Sequence, residues 1–157
     1  MSEPKGDRRP RVRIPAPLLL IIAILIGNGL NALWPMQLDA VVIRNIAGWT
    51  YNAAATLLLA WCVALFMRRR TTIMPSRPVN ALITNGPYRY SRNPMYLSIA
   101  LYHLGIAMAT GIIWHVFTFV PALIAIRLWV IAPEEVYMRQ RFGEAYQVYC
   151  TQVPRWF

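Results

Sequence analysis

Residues 15–34 read PAPLLLIIAILIGNGLNALW, twenty positions without a charged side chain. As a helix, roughly 20 apolar residues rise about 30 Å, enough to cross the hydrocarbon core of a bilayer. The run is too long for a signal-peptide core and no small-residue cleavage site follows it, so it is read as a retained span. Three further runs share its character: AGWTYNAAATLLLAWCVALFM (about 47–67), PMYLSIALYHLGIAMAT (about 94–110) and IIWHVFTFVPALIAIRLWVIA (about 112–132). The third is at the short end, because a span needs at least about 17 residues. The reading is a single all-α, polytopic membrane domain over 1–157: four transmembrane helices, a basic tail at 1–14, and a C-terminal amphipathic helix.

Composition agrees. Of 157 residues, 57% are hydrophobic and 14% charged, against roughly half and a quarter in an ordinary soluble domain. Such a chain buries too much apolar surface to be disordered. Sixteen Lys and Arg face six Asp and Glu, a formal charge of +10. The basic residues flank apolar runs and form no separate face, so they read as a topology signal and not as a nucleic-acid site. Lys5, Arg8, Arg9, Arg11 and Arg13 precede span one; Arg68, Arg69, Arg70, Arg77, Arg89 and Arg92 follow span two; Arg139, Arg141 and Arg155 follow span four. Between spans one and two stands only Arg44, beside Asp39, and between spans three and four there is no charge. Cytoplasmic loops collect Lys and Arg. Four crossings with both termini in the cytoplasm satisfy every segment at once, and they put the long segments at about 68–93 and 133–157 at one face. Most of the six tryptophans fall near span ends, as an interfacial aromatic belt would. Cys62 lies within a span and Cys150 in the tail, and both are read as free thiols. No Cys/His spacing suggests a metal.

The tail opens with Ala132-Pro133-Glu134-Glu135. Proline suits a first helical turn and acids suit the positive end of the helix dipole. Val136, Met138, Phe142, Tyr146 and Tyr149 fall near helical spacing, with Arg139, Arg141, Glu144 and Gln147 between them, so this stretch reads as one amphipathic helix on the membrane surface. That role does not account for two adjacent carboxylates where the chain leaves the bilayer. Residues 82–96 read LITNGPYRYSRNPMY. Gly-Pro marks a turn, and Asn-Pro restrains the next residues and starts span three. Three tyrosines and two arginines are thereby set at the mouth of the bundle, either as snorkelling interfacial groups or as a ligand site.

The run LITNGPYRYSRNPMY, followed near the C-terminus by PEEVYMRQRFGEAYQVYCTQVPR, resembles the isoprenylcysteine carboxyl methyltransferase family, whose general plan the phospholipid N-methyltransferases share. The two motifs cover about a quarter of the chain, and their order around a hairpin of spans also matches. The resemblance implies a prokaryotic-type integral membrane enzyme of a bacterial inner membrane that uses S-adenosylmethionine and acts on a lipophilic or lipidated substrate. Carried over by motif, it implies cofactor contacts from Leu82, Thr84, Gly86, Tyr88, Arg92, Asn93 and Tyr96 in the loop and from Glu134 and Glu135 in the tail. Arg92 and Glu135 are the candidate catalytic groups. Asn93 stands where better-known members have His, Ser98 where a Gly often follows, and no further Pro follows Arg155.

The chemistry suits those residues. The cofactor's cationic groups fit near Glu134 or Glu135, its carboxylate near Arg92, and its adenine or sulfonium against tyrosine faces. Methyl transfer to a carboxylate needs alignment and desolvation; transfer to an amine also needs a base, which a glutamate could supply. Both acceptors stay open. Other polar residues within the spans have structural readings. Gly27 and Gly29 suit close helix packing, Asn28 and Asn31 interhelical hydrogen bonds, and His103 and His115 bonds inside the bundle. Pro121 suits a kink, and Arg127 snorkelling or a place in the pocket. Two other classes compete with the enzyme. A small transporter would need acidic groups within the spans for ion coupling, and none is present. A non-catalytic adaptor binding anionic lipid would not need the two motifs.

Overall fold

The computed structural model describes residues 14–70 and 79–156, and all its regular elements are helical. The basic residues at 5–13 and Arg77 lie outside the described residues. Helix α1 (Ala16–Leu33) has the bounds its apolar run predicts. Helix α2 (Val41–Arg68) begins six residues before the predicted start and reaches 28 residues. Arg44 interrupts the apolar pattern there, but its guanidinium is accommodated at the end of the bundle, where Nη1 donates to the Leu38 carbonyl at 2.6 Å. Helix α3 (Pro94–Thr110) starts at the Asn-Pro step and ends on Gly111 in the left-handed conformation.

Among the described residues, three helices are long and apolar enough to cross a membrane: Ala16–Leu33, Val41–Arg68 and Trp114–Phe142. The predicted third span, α3, has 17 residues, about 25 Å at 1.5 Å per residue, against a hydrocarbon core of about 30 Å. It falls just short of its neighbours.

The tail departs from the reading of a separate surface helix. α4 (Trp114–Ile126) runs without a break through a π-helical turn (Arg127–Ile131) into α5 (Ala132–Phe142). The irregularity falls beside Pro133 rather than at Pro121. Proline offers no N–H and its ring crowds the carbonyl four residues back. The wider turn accommodates this, closed by the Ala132 N–H on the Arg127 carbonyl. The rod stops at Gly143, whose φ of 53° and ψ of −125° suit glycine alone. α6 (Glu144–Gln152) then sets off in a new direction. No single amphipathic stripe results: Val136 is exposed, whereas Glu135, Tyr137, Tyr146 and Tyr149 are buried.

α1 packs on α4 and α2 on α3. A methyl group on Gly48 would lie 2.7 Å from the Ala109 nitrogen, so glycine there lets the α2 and α3 backbones approach closely. Gly27 instead leaves room on α1 for the His115 imidazole of α4; Gly29 has open space beside it. At one end of the bundle the two turns are stitched together: the Leu38 N–H reaches the Gly111 carbonyl at 3.0 Å, the Ile113 N–H the Met36 carbonyl at 3.0 Å, and the Trp114 indole N–H the Trp34 carbonyl at 2.7 Å. Asn31 bonds locally, accepting the Met36 N–H at 3.0 Å rather than bridging helices, and Asn28 is exposed. His103 and His115 are fully buried, and the His103 Nε2–H donates to the His115 carbonyl at 2.9 Å. Cys62 and Cys150 are both free. The outer surface carries large apolar side chains such as Ile43, Leu57 and Trp49, each more than 70% exposed, a patchwork suited to lipid and not to water.

Candidate active site

The opposite end of the bundle is built differently. Loop 79–93 folds over the ends of α2 and α3, and α5, α6 and the residues after them close against it. Gly86–Arg89 forms a single 3-10 turn that drives Tyr88 into a cluster with Cys62, Leu65 and Ile83. The Tyr149 hydroxyl in α6 donates to the Tyr88 carbonyl at 2.6 Å, and the Val79 N–H donates to the Tyr137 hydroxyl at 3.1 Å. Residues 153–156 lie along the loop as a strap. The Arg92 N–H donates to the Pro154 carbonyl at 3.0 Å, and the Arg155 carbonyl accepts from Ser91 Oγ at 3.2 Å and from Asn93 Nδ2 at 3.0 Å. The Asn93 side chain is thus engaged in holding the strap.

Between these elements lies a cavity of about 360 Å³. Seven of the nine sequence-predicted contacts line it: Leu82, Tyr88, Arg92, Asn93, Tyr96, Glu134 and Glu135. Thr84 and Gly86 do not. Thr84 is exposed and faces a separate surface hollow beside Arg89 and Gln152. Gly86 backs onto α2, where an added methyl would lie 2.7 Å from Leu65 Cδ1. The turn that buries Tyr88 points both away from the cavity. Arg127 is exposed and takes no part in the lining.

The two adjacent glutamates have different partners. Consecutive helical residues project about 100° apart. Glu134 faces α3, where the Tyr96 hydroxyl donates to its Oε2 at 2.7 Å. Glu135 faces the strap: Arg155 Nε donates to Oε1 at 2.8 Å and Arg155 Nη2 to Oε2 at 2.7 Å. Arg92 Nη1 stands 3.4 Å from the same Oε1 and donates to Cys150 Sγ at 2.8 Å. The Arg92 Nε is buried without a hydrogen-bond partner among the described residues, a costly state for a charged group unless something binds there. Burial pushes the Tyr146 hydroxyl up to about 12 and raises those of Tyr88 and Tyr149 further, so these phenols stay protonated at neutral pH. The rest of the wall is apolar, with Phe66, Met95, Ile99 and Ile131 leading from the charged groups toward the bundle.

Four residues that matter here escaped the reading of the sequence. Arg155 counted only as a topology charge, and Tyr146 and Tyr149 only as an apolar stripe. Tyr137 carried one available signal, its place three residues beyond Glu134 on the same helical face.

The arrangement thus combines an anion-seeking guanidinium and a buried carboxylate with an apolar wall at the end of a lipid-facing bundle. A sequence profile described as phospholipid methyltransferase matches residues 43–145, well over half the chain. The chain belongs to the phospholipid methyltransferase family. This membership indicates an integral membrane methyltransferase of lipid substrates and agrees with the resemblance carried by the loop and tail motifs. The matched stretch includes the loop, α3, α4, α5 and both glutamates; α1 and the strap with Arg155 fall outside it. No curated protein and no solved structure matches the chain.

Proposed function

We propose that the protein transfers a methyl group from S-adenosylmethionine to a lipophilic substrate at the cytoplasmic face of its membrane. The observation that carries this reading is the pairing, across one cavity, of a carboxylate held by Tyr96 with an arginine whose buried Nε has no partner among the described residues. The donor set fits the cofactor. Its volume of about 360 Å³ is within the range of small-molecule sites. Glu134 would hold the cationic part of the ligand and Arg92 its carboxylate, and the faces of Tyr88 and Tyr96 would flank adenine or sulfonium. When bound, S-adenosylmethionine supplies an electrophilic methyl group on a sulfonium centre.

The chain's own residues orient the reactants and keep water out. The Tyr96 hydroxyl fixes the Glu134 carboxylate, and the apolar wall desolvates the acceptor. A carboxylate acceptor arrives already charged; an amine acceptor would pass its proton to Glu134. The lipid tail would remain in hydrocarbon while its head reaches the charged end of the cavity. The charge distribution supports four crossings, with α3 as the shortest, both termini in the cytoplasm and anionic lipid beside Arg68, Arg69 and Arg70. Bacterial inner membrane is the location this reading implies. Calorimetric titration of the detergent-solubilised protein with S-adenosylhomocysteine tests the reading. Binding is expected, and Arg92→Ala should weaken it at least about tenfold. Absence of heat at millimolar ligand with folded protein overturns the proposal. Transfer of labelled methyl into a lipid extract identifies the acceptor.

A further inference from the structure

Two guanidinium groups share one carboxylate at the cavity wall, and the sharing is unequal. Arg155 presents its fork to both oxygens of Glu135, at 2.8 and 2.7 Å. Arg92 approaches no nearer than 3.4 Å. The trio carries one positive charge in excess. Geometry assigns that excess to Arg92, because a bidentate pair satisfies both carboxylate oxygens in a single plane. Arg92 lines the cavity and Arg155 does not. Arg155 is held in place from behind, through its carbonyl on Ser91 and Asn93 and through the neighbouring Pro154 carbonyl on the Arg92 N–H.

We propose that Arg155 is a positioning residue whose task is to saturate Glu135, so that Arg92 stays uncommitted and available to an anionic group in the cavity. The idea rests on the reading that the ligand is S-adenosylmethionine, whose carboxylate is that group. Without Arg155, the Glu135 carboxylate keeps Arg92 as its nearest buried cation; Arg139, one turn along α5, is exposed. Arg92 then closes on Glu135 and is lost to the ligand. The strap therefore acts on the cavity by charge division, not by contact with what the cavity holds.

The test is a double-variant cycle on the full chain in detergent, with S-adenosylhomocysteine as titrant and thermal unfolding confirming that each variant is folded. Arg155→Gln is expected to raise the dissociation constant about tenfold, equivalent to about 1.4 kcal/mol. Adding Glu135→Gln to that variant removes the competing carboxylate and should recover affinity, so that the double variant binds at least about threefold more tightly than Arg155→Gln. Arg155→Lys keeps the charge but loses the two-point fork, so its dissociation constant should fall between those of the wild type and Arg155→Gln. If Arg155 only anchors the strap, the double variant binds no better than Arg155→Gln, and the proposal falls. A second readout needs no ligand. Arg92 donates to the Cys150 sulfur at 2.8 Å, so its withdrawal to Glu135 must change the rate at which iodoacetamide alkylates Cys150, read by peptide mass; Cys62 is fully buried. The rate should depart from wild type in Arg155→Gln and return in the double variant. An unchanged rate in Arg155→Gln overturns the proposal. Should the wild type bind no S-adenosylhomocysteine, the functional reading fails on its own, and the alkylation series still decides how the charge is divided.

Discussion

At the scale of the residue, Glu134 and Glu135 differ because their directions differ. One faces a phenol on α3 and the other a guanidinium on the strap, so their substitution should have different consequences. Glu134→Gln keeps the shape of the side chain and its bond from Tyr96 but loses the negative charge. It should weaken S-adenosylhomocysteine binding about tenfold with little change in unfolding temperature. Tyr96→Phe removes only the hydrogen bond and should cost about 1 kcal/mol, or roughly a fivefold loss of affinity, in the same titration. Tyr149 belongs to the scaffold. Its hydroxyl serves the buried Tyr88 carbonyl, and Tyr149→Phe should destabilise the fold by about 1–2 kcal/mol, seen as a lower unfolding temperature in detergent.

At the scale of the element, the rod Trp114–Phe142 carries the site out from the bundle. A continuous helix fixes Glu134 and Tyr137 relative to the transmembrane packing of Ile126 and Val130 on α1. The π turn before Pro133 sets the azimuth of everything beyond it, and π turns recur at functional positions for this reason. Gly143 then redirects the chain so that Tyr146 and Tyr149 come back over the loop. A side chain at φ 53° and ψ −125° is strained, so Gly143→Ala should lower stability by about 1–3 kcal/mol, again read as unfolding temperature. Binding should fall with it, because α6 supplies one wall of the cavity.

At the scale of the whole molecule, the two ends of the bundle have opposite characters. One end is sealed by backbone bonds between its turns, and the other opens into a cavity lined by charge and aromatic groups. If the site end is cytoplasmic, a cysteine placed by Asp39→Cys in a Cys150→Ala background should react with an impermeant maleimide in intact cells. Gln147→Cys in that background should react only after permeabilisation. The reverse pattern would invert the orientation.

The sequence by itself determined the helices and the loop that separates them. Apolar length fixes α1, Asn-Pro fixes the start of α3, and Gly-Pro fixes the turn before Tyr88. Each is a property of a few adjacent residues acting on their own backbone. It also placed Arg92, Tyr96 and both glutamates near one another through two motifs. Only the tertiary structure decided that α2 begins at Val41, since Arg44 is tolerated there by a carbonyl outside its own helix. Only the tertiary structure turned Thr84 and Gly86 away from the cavity and made Arg155 the partner of Glu135 across 20 residues. Partner choice depends on which groups meet after the chain has closed on itself, and that information is shared among distant segments instead of residing in any one of them.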